Sequence, residues 1–404
     1  MNEVGTLGLI LDIGSAMIRS GAETHRVEDS LYRMCDSYAF TACNIWVVPS
    51  NIQATVTTRS GECLTQIRHV RSTGVDFDRL DKLNNLSREV CRDVPETAEL
   101  AARLEKAMNG APQRPWVNYL AGAMAGAGFG VFFNCDALDA LTAALASLLV
   151  TFLVRRLGRQ ENNPLILNFL VSCAAELFII LSVACGLGHH MGYITVGVVM
   201  LLISALGATN GLRDLVHLDT LSGVMNITAS LTGAIGIALG IALPLLLCRA
   251  RADNEIMVLN PNVLIQLLAC TVGCAGFALW FNVKGKKVLC CALGALLTWA
   301  AYLLALKCGA GAFTATLIAS IGCGFYAQLM ARFNKAPATI FMTVSIFPLI
   351  PGAALYYMMY GFVLQDMALG LGKGAELLLA CFGIVLGFMV VEVASRYIWS
   401  ARRS

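Results

Sequence analysis

The sequence predicts a polytopic α-helical membrane protein. It has about ten transmembrane helices arranged five plus five, read as an inverted repeat, after a small α+β cytoplasmic domain. Three observations carry this expectation. Apolar residues make up 57% of the 404 positions, a composition typical of membrane proteins. Of the 55 charged residues, 28 lie within the first 115 positions. Beyond residue 116, ten apolar runs follow, each near the ~20 residues that cross a bilayer core.

Residues 1–115 form the expected cytoplasmic domain. A helix is predicted over 4–19, stopping at Ser20-Gly21. In the next segment Val27, Leu31, Met34 and Tyr38 recur at helical spacing as a buried stripe. His25, Glu28, Asp29 and Tyr32 share a second face, read either as a proton relay or as solvated ion pairs. Strands are predicted at Ile45–Val48, at Ile52–Thr58 with clean alternation, and at Cys63–Val70. Two helices, near 78–92 and 95–108, complete the domain. The first residues lack the basic start of a signal peptide, so this domain is expected in the cytoplasm.

The apolar runs fall near 116–133, 136–154, 164–187, 190–206, 221–247, 261–281, 288–306, 312–331, 338–360 and 376–398. They suggest membrane modules over 116–250 and 251–404. With both termini inside, twelve Lys and Arg of the flanking segments lie in the cytoplasm and four outside, as the positive-inside rule requires. Two homologous units of five spans must lie in opposite orientations, as in many secondary transporters. Gly-rich runs at Gly233–Gly240 and Gly383–Gly387 support the repeat, although such runs also occur in any packed bundle.

Polar residues inside these runs are the functional candidates, because charge at membrane depth is costly and is kept mainly for a solute path or a partner. The stretch 207–223 gathers Asn210, Arg213, Asp214, Asp219 and Ser222, with Asn226 just beyond. It reads either as a binding segment or as a charged cytoplasmic loop. Glu176 lies in the middle of the third run and is the candidate proton carrier. His189-His190 reads as a solvated outer turn, and Glu392 as a partner of Arg396. The eleven cysteines from Cys135 onward read as small hydrophobes, and no C-x-x-C pair occurs. No metal site and no cofactor are expected. There is no phosphate-binding loop, no H-E-x-x-H and no G-x-S-x-G, so transport would be driven by a gradient. The net charge of +3 is not gathered into a basic stripe, so no nucleic acid is expected.

The segment Gly21-Ala22-Glu23-Thr24-His25-Arg26-Val27-Glu28-Asp29 resembles the signature of the threonine/serine exporter family. Arg213-Asp214-Leu215 with Asp219-Thr220-Leu221-Ser222-Gly223 resembles its second hallmark, and Phe347-Pro348-Leu349-Ile350-Pro351-Gly352 resembles its smaller membrane module. Leu218 stands where the family pattern leads us to expect glycine, and Val224-Met225-Asn226 where it leads us to expect a basic residue. The resemblance implies a secondary exporter of threonine and serine in a bacterial plasma membrane, proton-coupled, with a homo-oligomer left open. Succinate-like dicarboxylates are the alternative substrates, and a membrane-anchored hydrolase is the more remote alternative. Asn210, Arg213, Asp214, Asp219, Ser222, Asn226 and Glu176 are then expected to bind substrate. Arg213 is the only Lys or Arg between Arg159 and Arg249, and its planar fork suits a carboxylate. Gly21, His25, Arg26, Glu28, Asp29, Pro351 and Gly352 are expected to gate or regulate.

Overall fold

The computed structural model describes residues 2–71, 74–110, 112–158, 161, 163–203, 205–216, 218–248, 259–363 and 365–400. The chain divides into two compact units. One is Met1–Gln113 with Phe281–Lys284 and Ala331–Ile340; the other is Arg114–Trp280, Gly285–Met330 and Phe341–Ser404.

In the first unit, α1 (Glu3–Arg19) is capped by Asn2, whose side chain accepts the Gly5 N–H at 3.0 Å. Helix α2 (Thr24–Ser37) follows Gly21, whose φ of +91° is open to glycine at little cost. Strands β1 (Thr41–Val48), β2 (Asn51–Thr57) and β3 (Cys63–His69) form an antiparallel meander in that order. Helices α3 (Phe77–Asp93) and α4 (Thr97–Met108) complete it. Val27, Leu31, Met34 and Tyr38 are all buried, and β2 turns Ile52, Ala54 and Val56 into the same core. That alternation fixes the sheet register, because a one-residue slip would expose all three.

Two short segments from later in the chain belong to this unit. The Phe77 N–H donates to the Phe281 carbonyl at 2.9 Å, and the two rings meet edge to face at 5.7 Å. Asn282 Nδ2 donates to Asp76 at 2.7 Å and Lys284 Nζ to Asp78 at 2.8 Å. Burial alone would raise the Asp78 carboxyl, but hydrogen bonds from Lys284 and Lys82 outweigh it and hold it below its ordinary value.

The second unit is helical. Its elements are α5 (Pro115–Phe132), α6 (Ala137–Leu157), α7 (Pro164–Ala184), α8 (Met191–Val199), α9 (Ala205–Val216) and α10 (Thr220–Cys248). They continue with α11 (Val263–Trp280), α12 (Lys286–Lys307), α13 (Ala312–Phe333), α14 (Ala338–Ser345), α15 (Gly352–Val363) and α16 (Met367–Ser400), the end of α13 and the start of α14 falling in the first unit. Every expected apolar run falls on helix. Seven of these helices are long and apolar enough to cross a membrane by themselves. Helix α5 is diluted by glycines that let it touch α11 backbone to backbone: a Cβ on Gly128 would lie 2.6 Å from the Gly273 nitrogen.

Two runs expected to be continuous are interrupted. The run 190–206 splits between α8 and α9, where the Leu202 and Ile203 N–H groups both turn back to the Val199 carbonyl. The run 338–360 splits into α14, a 3-10 turn at Phe347–Leu349 and α15, bent by 41°. Pro348 and Pro351 explain the second break, since proline cannot donate to the helix ladder. The first break carries no such residue among those described and could not be read from its uniformly apolar sequence.

The two sets of six helices, α5–α10 and α11–α16, have matching turns at three places. Asn134, Gly186 and Leu218 lie at φ +74°, +78° and +68° between successive helices; Asn282, Lys335 and Gln365 lie at +60°, +50° and +62°, displaced by 148, 149 and 147 positions. The closures match as well. Leu218 N–H bonds to Leu215 O and Asp219 N–H to Asp214 O; Gln365 N–H bonds to Phe362 O and Asp366 N–H to Gly361 O. This is the Schellman arrangement, whose left-handed position ordinarily takes glycine.

Candidate transport site

The two interrupted helices meet at their breaks. A Cβ on Gly352, at the start of α15, would lie 2.7 Å from Met200 Sδ and 3.7 Å from the Ile203 side chain. A small apolar cavity beside this contact is lined by Ile203, Ala234, Ile237, Ala238, Leu355 and Tyr356. The expected gating pair Pro351 and Gly352 therefore lies against the first break. The Pro351 carbonyl accepts the Leu355 N–H at 3.0 Å, starting α15.

Glu176 is 1% exposed in the middle of α7. Thr195 of α8 donates to its Oε2 at 2.9 Å. Tyr356 and Tyr360 of α15 lie within Coulombic reach of the same carboxylate, and their rings stack at 5.8 Å. Among the described residues no cation pairs with Glu176. Taking a carboxylate out of water costs on the order of several kcal/mol per charge, and charge at membrane depth is kept mainly for a solute path or a partner. Thr195, Tyr356 and Tyr360 were not foreseen. Their polar groups sit in strongly apolar runs, and only the fold brings Thr195 to Glu176. Asn168, two turns before Glu176, donates instead to the Gly233 carbonyl at 3.2 Å and ties α7 to α10.

The 207–223 stretch forms a separate hairpin, α9 into α10. Gly211 and Gly223 face each other closely enough that a Cβ on either would come within 2.8 Å of the other's carbonyl oxygen. Asp214 is buried and accepts from Asn226 Nδ2 at 2.9 Å. Ser222 is buried beside them, Asn210 is exposed, and Asp219 lies half-buried at the turn. The Arg213 backbone belongs to α9, but its side chain lies outside the described residues, as do Arg159, Arg249, Arg251, Arg402, Arg403 and the Arg396 side chain.

In the N-terminal domain the signature converges on Glu23, which the sequence did not single out. Its buried carboxylate takes Arg26 Nε at 3.2 Å, lies 3.9 Å from His25 Nδ1, and accepts from Thr339 Oγ1 at 3.1 Å. Thr339 lies in the segment Ala331–Ile340, which belongs to this same unit. Asp29 is exposed, 4.0 Å from Arg33, in an ordinary solvated pair. Glu28 is half-buried, and Tyr32 turns to β1, where its hydroxyl accepts the Ile45 N–H at 3.1 Å. The shared face of α2 is thus divided among different neighbours.

His189 and His190 are not the plain solvated turn expected from sequence. Each Nδ1 lies 2.8 Å from a carboxylate oxygen, of Asp136 and Asp139 respectively.

Comparison with known proteins bears on this arrangement. A threonine/serine exporter family model matches residues 8–247, and a second, described as "Threonine/Serine exporter, ThrE", matches residues 266–394. The chain is 23% identical over 403 residues to a "Probable threonine/serine exporter" of Mycobacterium tuberculosis, covering 94% of this chain and 75% of that protein. It is 24% identical over 419 residues to the "Threonine/serine exporter" of Corynebacterium glutamicum, covering 99% and 83%. No solved structure matches.

Proposed function

This chain belongs to the threonine/serine exporter family, a family of transporters rather than enzymes, and from that premise we propose that it exports threonine and serine in exchange for protons. The observation that carries the reading is Glu176, buried in α7 and hydrogen-bonded by Thr195 of one interrupted helix. Interrupted helices at membrane depth are tolerated where they line a site. Glu176 carries the proton, and Thr195 orients it.

The α9–α10 hairpin is the cytoplasmic entry, with Arg213 taking the substrate carboxylate in two places and Asp214, Asp219, Asn210, Ser222 and Asn226 supplying further polar contacts. A lysine cannot reproduce the fork, so Arg213→Lys lowers transport strongly despite keeping charge. Near-normal flux in that variant, with insertion confirmed, would remove Arg213 from the site. Gly21, His25, Arg26, Glu28, Asp29, Pro351 and Gly352 serve gating.

The topology is ten crossings in two modules, 116–250 and 251–404, of opposite orientation, with both termini and residues 1–115 cytoplasmic in a bacterial inner membrane. The matched turns and the Lys/Arg bias support it. Single cysteines engineered near 160 and 285 on a cysteine-free background are then protected from an impermeant thiol reagent added outside; labelling there would reject the orientation. Counterflow in proteoliposomes with labelled threonine, serine and succinate tests the substrate. Threonine and serine exchange is expected, and uptake of succinate alone would overturn the reading.

A further inference from the structure

The turns that join α5 to α6 and α7 to α8 meet at four side chains that transport does not use. Asp136 caps α6, its Oδ1 accepting the Asp139 N–H at 2.8 Å. Asp139 is fully buried, yet its Oδ1 accepts the backbone N–H groups of His189 at 2.6 Å and His190 at 3.2 Å, fifty residues away. Its Oδ2 takes His190 Nδ1 at 2.8 Å, and Asp136 Oδ2 takes His189 Nδ1 at 2.8 Å. One ligand atom from each of Asp136, Asp139 and His189 lies within 4.8 Å of the others. A helix cap needs none of the histidine contacts.

We propose that Asp136, Asp139 and His189 bind a zinc-class divalent cation, with His190 orienting the Asp139 carboxylate. Two carboxylate oxygens and one imidazole nitrogen suit a borderline cation such as Zn²⁺, and the two negative charges balance it. Ligands of a tetrahedral zinc stand about 3.3 Å apart, given bonds of about 2.0–2.1 Å. The half-exposed Asp136 and His189 side chains can close that gap by rotamer adjustment, while the buried Asp139 stays fixed. On binding, the metal takes the place of the His189 Nδ1 proton, and the neutral ring carries its proton on Nε2. The fourth position is left for water. His190 plays the part of the outer hydrogen-bonding partner that fixes a ligating carboxylate. The bound cation would fasten the turn leading into α8 to the start of α6.

The test uses the full-length protein in detergent with Cys185, exposed in the same turn, replaced by serine. Zn²⁺ is titrated in competition with a chromophoric chelator, and thermal unfolding is followed with and without the metal. One saturable Zn²⁺ per chain is expected, with a rise in melting temperature. His189→Gln keeps a hydrogen-bond donor for Asp136, and Asp136→Asn keeps a good helix cap. Both should melt like the parent without metal, yet bind Zn²⁺ at least about tenfold more weakly and lose the thermal shift, as loss of one ligand group implies. Absence of saturable binding, or affinity unchanged in both variants, would overturn the proposal, the latter by assigning the metal to the remaining thiols.

Discussion

The two halves of the helical unit share a frame and differ in what they place on it. In the first, a Cβ on Gly240 of α10 would run into Ser172 of α7; in the second, a Cβ on Gly387 of α16 would lie 2.6 Å from Ser320 of α13. One turn beyond Ser172 stands Glu176; one turn beyond Ser320 stands Gly324, packed against Val391. The hairpins differ in the same way. By the 147-residue offset of their turns, Asn210 and Arg213 of α9 correspond to Tyr357 and Tyr360 of α15. Backbone contacts that allow helices to pack are kept in both halves, whereas at these matched positions the carboxylate of Glu176 and the arginine at 213 belong to the first half alone. Charge at membrane depth is costly and is kept mainly where it serves a solute path or a partner.

The largest expected effect is on that asymmetry. Glu176→Gln keeps shape but cannot release a proton, so pH-driven transport should vanish while threonine exchange at equal pH persists. Retained pH dependence would make Glu176 structural. On the matching position, Gly324→Ala forces a methyl within 2.9 Å of Val391. It should cost about 1–3 kcal/mol of stability and leave the pH profile alone, as read by melting temperature beside flux.

Thr195→Val sharpens the comparison by removing the donor to Glu176 at constant volume. Loss of a hydrogen bond to a charged group costs about 1.5–3 kcal/mol, so pH-driven flux should fall at least about tenfold with little change in exchange. Equal loss of both would point to α8 packing instead.

Much of the frame could be read in advance. The Val27, Leu31, Met34 and Tyr38 stripe, the alternation of β2 and the ten apolar runs are local patterns, and local patterns survive folding. Leu218 is the sharpest case: glycine is expected there, and its φ of +68° shows why. The meeting of distant residues was not legible. Glu23 reaches Thr339 across 316 positions, and the histidine turn finds its aspartates about fifty residues back. The α8–α9 break also escaped, because an unbroken apolar run gives no sign of where a helix stops.

The N-terminal domain gives a pH prediction. Asp78 is held below its ordinary value by Lys284 and Lys82. Its contribution is therefore fully present above the unfolded carboxyl value of about 3.9 and is lost as pH falls through the lower folded value. Hydrogen exchange at residues 281–284 should stay slow relative to the unfolded chain from pH 7 to about 4 and rise below that. In Asp78→Asn the fast exchange should already be present at pH 7. Protection equal to the parent at pH 7 would deny the contact a role.

The smallest effect concerns the matched turns. Leu218→Gly and Gln365→Gly relieve a left-handed conformation costing about 1–2 kcal/mol, partly offset by the greater freedom of glycine in the unfolded chain. Each should raise stability by up to about 1 kcal/mol, and destabilisation at both would break the correspondence of the two hairpins.

The most direct measurement records lumenal pH in proteoliposomes loaded with a pH-sensitive dye while a threonine gradient is imposed across them. If Glu176 is the coupling carboxylate, threonine flux moves protons the opposite way in the parent and moves none in Glu176→Gln. Threonine flux without proton movement in the parent, or the same proton movement in both, would contradict it.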